Sequence, residues 1–165
     1  MLFRSLYLLL FLAFPFSALA SVVEVEISLS PVGSFTIHSD SLLGKGIKKG
    51  SVYTADKLEV PIESLKTGID LRNQHMWKRL DKGKQFTHVT VTNVKAENGK
   101  GTAKITIAGK TKEDLEFTFK DEGNNQAEAY FKLNLKDFEI KDVSYLGVGV
   151  EDEVNLKVKV GYDVQ

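Results

Sequence analysis

The sequence predicts an all-β protein: a single antiparallel up-and-down β-barrel of about eight strands, with one short helical segment. Three observations carry this. Apolar and polar residues alternate with period two through most of the chain after residue 21, the pattern of strands with one buried and one wet face. Joints rich in Gly and Asn separate the alternating runs, and these residues tolerate the positive φ that hairpin turns need. Neighbouring runs lie too close for parallel crossovers, which take a dozen or more residues. A sheet of such strands solves its edge problem by closing on itself.

The runs appear in order. Val23, Val25, Ile27 and Leu29 share one parity, with Glu24 and Glu26 between them. Phe35 and Ile37 alternate with Thr36 and His38. Leu58, Val60 and Ile62 follow, and Pro61 in this run marks an irregular or bulged position because proline has no N–H for the ladder. From Phe86 to Val94 the alternation is less clean, and either face can be the buried one. Ala103, Ile105 and Ile107 oppose Lys104 and Thr106; Leu115, Phe117 and Phe119 oppose Glu116, Thr118 and Lys120. Ala129, Phe131, Leu133 and Leu135 oppose Glu128, Tyr130, Lys132 and Asn134, and Val154 to Val160 repeat the pattern. The segments Glu97 to Gly101 and Asp121 to Asn125 read as hairpin loops.

Residues 1–20 stand apart. Arg4, an apolar run from Leu6 to about Phe16, and Ala18-Leu19-Ala20 form a signal-peptide pattern with cleavage expected after Ala20. The run is short of the ~20 residues that span a bilayer as a helix. The expected organisation is therefore a signal peptide over 1–20 and one barrel domain over 21–165, exported to the bacterial periplasm. The chain has no cysteine, which excludes disulfides, thiolate catalysis, Cys-ligated zinc and iron–sulfur clusters. Lys+Arg and Asp+Glu balance at 22 each, and their dispersal gives no nucleic-acid footprint. An outer-membrane barrel would turn its apolar face outward on longer strands with aromatic girdles, whereas here the opposite face is dense in Lys and Glu.

A barrel of this size either fills itself with side chains or holds one small ligand. Ala103, Ala127 and Ala129 share the inward parity with Phe117, Phe119 and Phe131, which suits a channel or an interlocked core equally. No parity places a charge inside. The polar candidate is instead the stretch SLKTGIDLRNQHM, from Ser64 to Met76. After the Thr67-Gly68 turn, Ile69, Arg72, Asn73 and Met76 fall on one side of a short helix, with His75 and Trp77 nearby, placing a lid on one end of the barrel.

This stretch resembles the Ser-x-x-Thr-Gly-x-x-x-Arg-Asp-x-His-Met/Leu signature of the YceI-like family, lipocalin-like polyisoprenoid-binding proteins. Ser34 to His38, GTAKITIAG from Gly101 to Gly109, Lys110-Thr111-Lys112, Lys136 to Ile140 and Val150 to Val160 resemble further family segments in the same order. The resemblance implies an exported barrel enclosing an isoprenoid-like tail of polyprenol, polyprenyl phosphate or quinone type, acting as a carrier and not an enzyme, without a cofactor. It makes Arg72, Asn73 and His75 the candidates for holding a polar head. Met76, Trp77, Phe35, Ile37, Ile105, Phe117, Phe119, Phe131, Leu133, Leu156 and Val158 become candidates for the apolar lining or lid. Two departures stand out: Asn73 occupies a position where the family usually has Asp, and Glu139 one where it has Gly.

Each candidate has a plainer reading. Arg72 and His75 can equally bracket the lid to strand carbonyls, since buried polar groups must be paired whatever the function. Met76 and Trp77 suit simple burial. His38, His75 and His88 have no spacing that suggests a three-histidine metal site. Neither a Gly-x-Ser-x-Gly motif nor a local triad occurs. Lys45, Lys48 and Lys49 form a small basic loop that serves either anionic lipid heads or simple solvation. The alternative to the carrier is a packed barrel acting through its surface, as a stress-related or protein-interaction module. A homodimer and transient membrane contact are compatible with either.

Overall fold

The computed structural model describes residues 22–165 apart from 142 and 146. The expected signal peptide over 1–20 lies outside the described residues. Eleven strands follow in chain order, with one helix between the fourth and fifth. They are β1 (Val22–Ser30), β2 (Ser34–Ser39), β3 (Gly46–Lys49), β4 (Val52–Pro61), α1 (Asp70–Asp81), β5 (His88–Glu97) and β6 (Lys100–Ile107). The remainder are β7 (Lys110–Gly123), β8 (Gln126–Asn134), β9 (Ser144–Tyr145), β10 (Val148–Val150) and β11 (Glu153–Val164).

Seven of them close into a barrel in the order β3-β4-β5-β6-β7-β8-β11. Every step along this path is antiparallel. The barrel shuts through a parallel pair, β11 to β3, in which Tyr162 meets Gly46 and Val164 meets Lys48. The up-and-down reading thus holds for the meander, and the closing seam departs from it. β1 pairs with the earlier part of β11, from Asn155 to Lys159, and carries β2 on its other side. Bridges His38–Lys66 and Leu43–Glu59 tie the end of β2 and the chain after it back to the segment around β4.

Local irregularities explain the segments where alternation blurred. β5 carries a register shift between Thr92 and Lys95 with Asn93 at φ 54°. One extra residue at a bulge flips the inward parity, so Val89 and Val91 before it and Val94 and Ala96 after it all face the interior. Pro61 is the last residue of β4 and leads into a 3-10 turn over Ile62–Ser64, so it ends the strand and does not interrupt it.

The helix follows from its ends. Asp70 in the first turn and Lys78 and Arg79 in the last complement the helix dipole, and Lys82 stops it in the left-handed region at φ 45°. Met76 and Leu80 pack against the core, and Ile69, just before the helix, is exposed. Arg79 Nη1 donates to the Lys141 carbonyl at 2.6 Å. These contacts fix α1 at the end of the barrel where β4 finishes and β5 begins.

Outside, charged pairs run across and along strands, among them Lys132–Glu153 at 2.7 Å, Lys159–Glu128 at 3.3 Å and Lys157–Glu24. Each exposed pair contributes little to stability, but together they make a wet exterior unsuited to hydrocarbon. Glu128, expected on that wet face, is nonetheless buried. It accepts from Tyr130 Oη and pairs with Lys159, and the Tyr130 bond does most to hold its carboxyl below the ordinary value.

Candidate ligand-binding cavity

The barrel interior is solid at one end and hollow at the other. At the helix end, Phe138 is fully buried (0% exposed), and Leu65, Ile107 and Leu133 pack into the same cluster. Phe138 gets there on a 3-10 turn over Leu135–Phe138, stopped by Glu139 in the left-handed region at φ 59°. That is a conformation glycine adopts without strain, in keeping with the glycine that the family resemblance implies there.

Along the barrel towards the opposite end runs a cavity of about 140 Å³. Against the ~10–15 Å³ that admits one water, this is space for a short apolar chain. Its wall runs from Val60 and Val89 through Ile105, Leu115, Phe117, Phe131, Leu156 and Val158 to Tyr53, Phe119 and Tyr162. Small side chains open it: Ala55, Ala96, Ala103, Ala127 and Ala129 all line the wall. No lining residue carries a charge, and Thr54 and the two tyrosines are its only polar side chains.

One glycine shapes the wall. A methyl group on Gly101 would stand 2.2 Å from Cζ of Phe117 and 2.8 Å from the Ala96 Cβ. The Phe117 ring therefore lies across bare backbone, and the width of the cavity there depends on residue 101 having no side chain.

Of the residues suggested for lining or lid, Ile105, Phe117, Phe119, Phe131, Leu156 and Val158 line the cavity. Phe35, Ile37, Leu133, Met76 and Trp77 do not; they belong to the packed part of the core or its cover. Trp77 Nε1 donates to the Leu65 carbonyl at 2.8 Å, and Lys66 Nζ sits 4.1 Å from its ring centroid.

Arg72, Asn73 and His75 are on α1 and none lines the cavity. Arg72 stacks its guanidinium 4.2 Å from the centroid of Phe35, a cation–π contact with a ring outside the cavity wall. Asn73 is 3% exposed, and its Oδ1 accepts from the Thr67 backbone N–H at 2.7 Å and the Thr67 hydroxyl at 2.8 Å. His75 is exposed. The geometry thus gives Asn73 and Trp77 the bracketing role.

The charge expected to be absent from the inward parity sits at the far rim. Asp121 continues the series Leu115, Phe117, Phe119, because β7 runs on to Gly123 where a loop was expected. Its Oδ2 accepts from Lys48 Nζ at 2.7 Å and from Tyr53 Oη at 2.5 Å; its Oδ1 accepts from Tyr162 Oη at 2.8 Å and the Gly123 N–H at 2.9 Å. Lys48 also lies 5.0 Å and 5.5 Å from the ring centroids of Tyr53 and Tyr162. The Lys48 bond, then the Tyr53 bond, hold the Asp121 carboxyl far below the ordinary carboxylate range, and Asp121 in turn raises the Lys48 ammonium. Burial, then the bond to Asp121, pushes the Tyr162 phenol up. Parity alone places two of its members inward: Tyr162 continues Val154 to Val160, just as Asp121 continues Phe119.

Among the described residues, no group of His, Asp and Glu is placed to hold a metal ion, and no helix is long and apolar enough to cross a membrane.

A family model for the YceI-like domain matches residues 17–162. No curated protein matches the chain. Among solved structures, a polyisoprenoid binding domain from Saccharophagus degradans, implicated in plant cell wall breakdown, is 17% identical with a TM-score of 0.63, over 85% of this chain and 91% of that one. BcnA of Burkholderia cenocepacia is 19% identical at the same TM-score, over 85% and 94%. A YceI protein of Campylobacter jejuni is 20% identical with a TM-score of 0.59, over 78% and 84%. At these identities the structures speak for the fold. The family model spans most of the sequence and the barrel agrees with it: the chain belongs to the YceI-like family.

Proposed function

We propose that this protein is an exported carrier of the bacterial periplasm that holds the tail of an isoprenoid-like lipid, of polyprenol, polyprenyl phosphate or quinone type, inside its barrel. It makes and breaks no bond. The observation that supports this reading is a charge-free apolar cavity, opened by alanines, inside a closed barrel with a charged exterior. That one structural neighbour is described as a polyisoprenoid binding domain points the same way. Affinity comes from apolar surface withdrawn from water, ~25 cal/mol per Å², less the costs of association and ordering.

The test is native mass spectrometry of protein gently purified from the periplasm, followed by incubation with polyprenols and quinones. Retained or acquired lipid is the expected result. Protein recovered empty that also refuses every added lipid overturns the carrier. That outcome would favour the second reading, a packed module working through its surface, for which the solid helix end around Phe138 speaks.

A further inference from the structure

At the end of the barrel away from α1, three side chains converge on the carboxylate of a fourth. Lys48 comes from β3, Tyr53 from β4, Asp121 from β7 and Tyr162 from β11. Both tyrosine rings line the cavity while their hydroxyls reach the rim. The cluster therefore lies at the end of the hollow away from the packed Phe138. The Lys48 and Asp121 side chains are each about one-third exposed (27% and 32%), so a molecule approaching from solvent meets them first. Lys48 and Tyr162 sit on the two strands of the barrel's parallel seam, β3 and β11.

Resting on the carrier reading, we propose that Lys48, Tyr53, Asp121 and Tyr162 form the mouth of the cavity and seat an uncharged, hydrogen-bonding lipid head such as an alcohol.

The chemistry selects the class of head. Asp121 has a donor from Lys48, one from each phenol and one from the Gly123 N–H, and its charge is matched by that of Lys48. A head group thus meets a neutral site with phenol oxygens that still accept and an ammonium with N–H groups left to donate. A hydroxyl satisfies both. A phosphate would have to sit beside the Asp121 carboxylate, which repels it, and parting Lys48 from Asp121 would strand the carboxylate. Passage of the tail needs the Lys48–Asp121 pair to swing aside, which its exposure permits.

The test is competitive binding of farnesol and farnesyl phosphate, two heads on one tail, read by native mass spectrometry. Wild-type protein is expected to prefer farnesol. Asp121→Asn leaves the mouth one charge more positive and should move the preference towards the phosphate by about tenfold or more. Lys48→Gln makes it one charge more negative and should move the preference the other way, so a folding failure in one variant leaves the other to decide. A ratio unmoved by both variants, or one moved by Arg72→Ala instead, overturns the proposal while leaving the carrier intact. Wild-type protein that takes up neither compound overturns both.

Discussion

Asn73 and Thr67 are joined twice: one amide oxygen of Asn73 accepts both the backbone N–H and the hydroxyl of Thr67, at 2.7 and 2.8 Å. This double acceptance ties the turn before α1 to the helix's one buried residue. Either oxygen of an Asp could serve in its place, so the departure from the family pattern at residue 73 costs the fold little. Asn73→Ala should lower unfolding free energy by about 1–3 kcal/mol, the range for leaving buried donors unpaired. Asn73→Asp should stay within about 1 kcal/mol of wild type. Urea denaturation with unchanged slope would check both.

Gly101 sets the bore's width at Phe117. Gly101→Val should drive the ring off the backbone and into the cavity, at a cost of about 1–3 kcal/mol for overpacking and with loss of lipid uptake. Adding Phe117→Leu to the same variant should restore much of both, read by thermal unfolding and native mass spectrometry. Equal loss in single and double variants would show that the 2.2 Å approach is relieved elsewhere.

Glu139 holds a left-handed conformation at φ 59°. Glu139→Gly should raise the melting temperature by roughly 2–4 °C, in keeping with about one kilocalorie of relieved backbone strain. The exposed Lys110–Glu139 pair lost in the exchange offsets little. A lower melting temperature would mean that the pair outweighs the strain.

Asp121 sets an acid limit. A carboxyl held below its ordinary 3.8 stabilises the fold fully above that value and loses the contribution as pH falls through the lower, folded value. Stability should stay level from pH 7 to about 5 and drop progressively below it. Asp121→Asn should make the drop shallower without abolishing it, because Glu59, Glu128 and Glu139 are also held low. Urea midpoints between pH 2 and 7 measure this.

The barrel was legible in sequence because period-two alternation reports which face is buried, and Leu115-Phe117-Phe119 or Val154 to Val160 leave no doubt about that. Where a bulge at Asn93 switched parity, the pattern blurred for a geometric reason that no residue type announced. The polar residues most conspicuous in the sequence lie at the opposite end of the barrel from the proposed mouth. Polar residues crowded between Thr67 and His75 drew attention to the helix, where Asn73 turned out to be bracing the turn. The rim cluster was missed because Lys48, Tyr53, Asp121 and Tyr162 are each unremarkable in their local context and meet only through closure. Asp121 was also hidden by its Asp-Glu-Gly-Asn-Asn neighbourhood, which reads as a turn although the strand continues through Gly123.

The seam between β3 and β11 joins Gly46 to Tyr162, more than a hundred positions apart. Such distant pairing makes for slow assembly. Until that seam zips, the greasy lumen stays open to water and to other half-made chains, with the sticking hazard that exposed apolar surface brings.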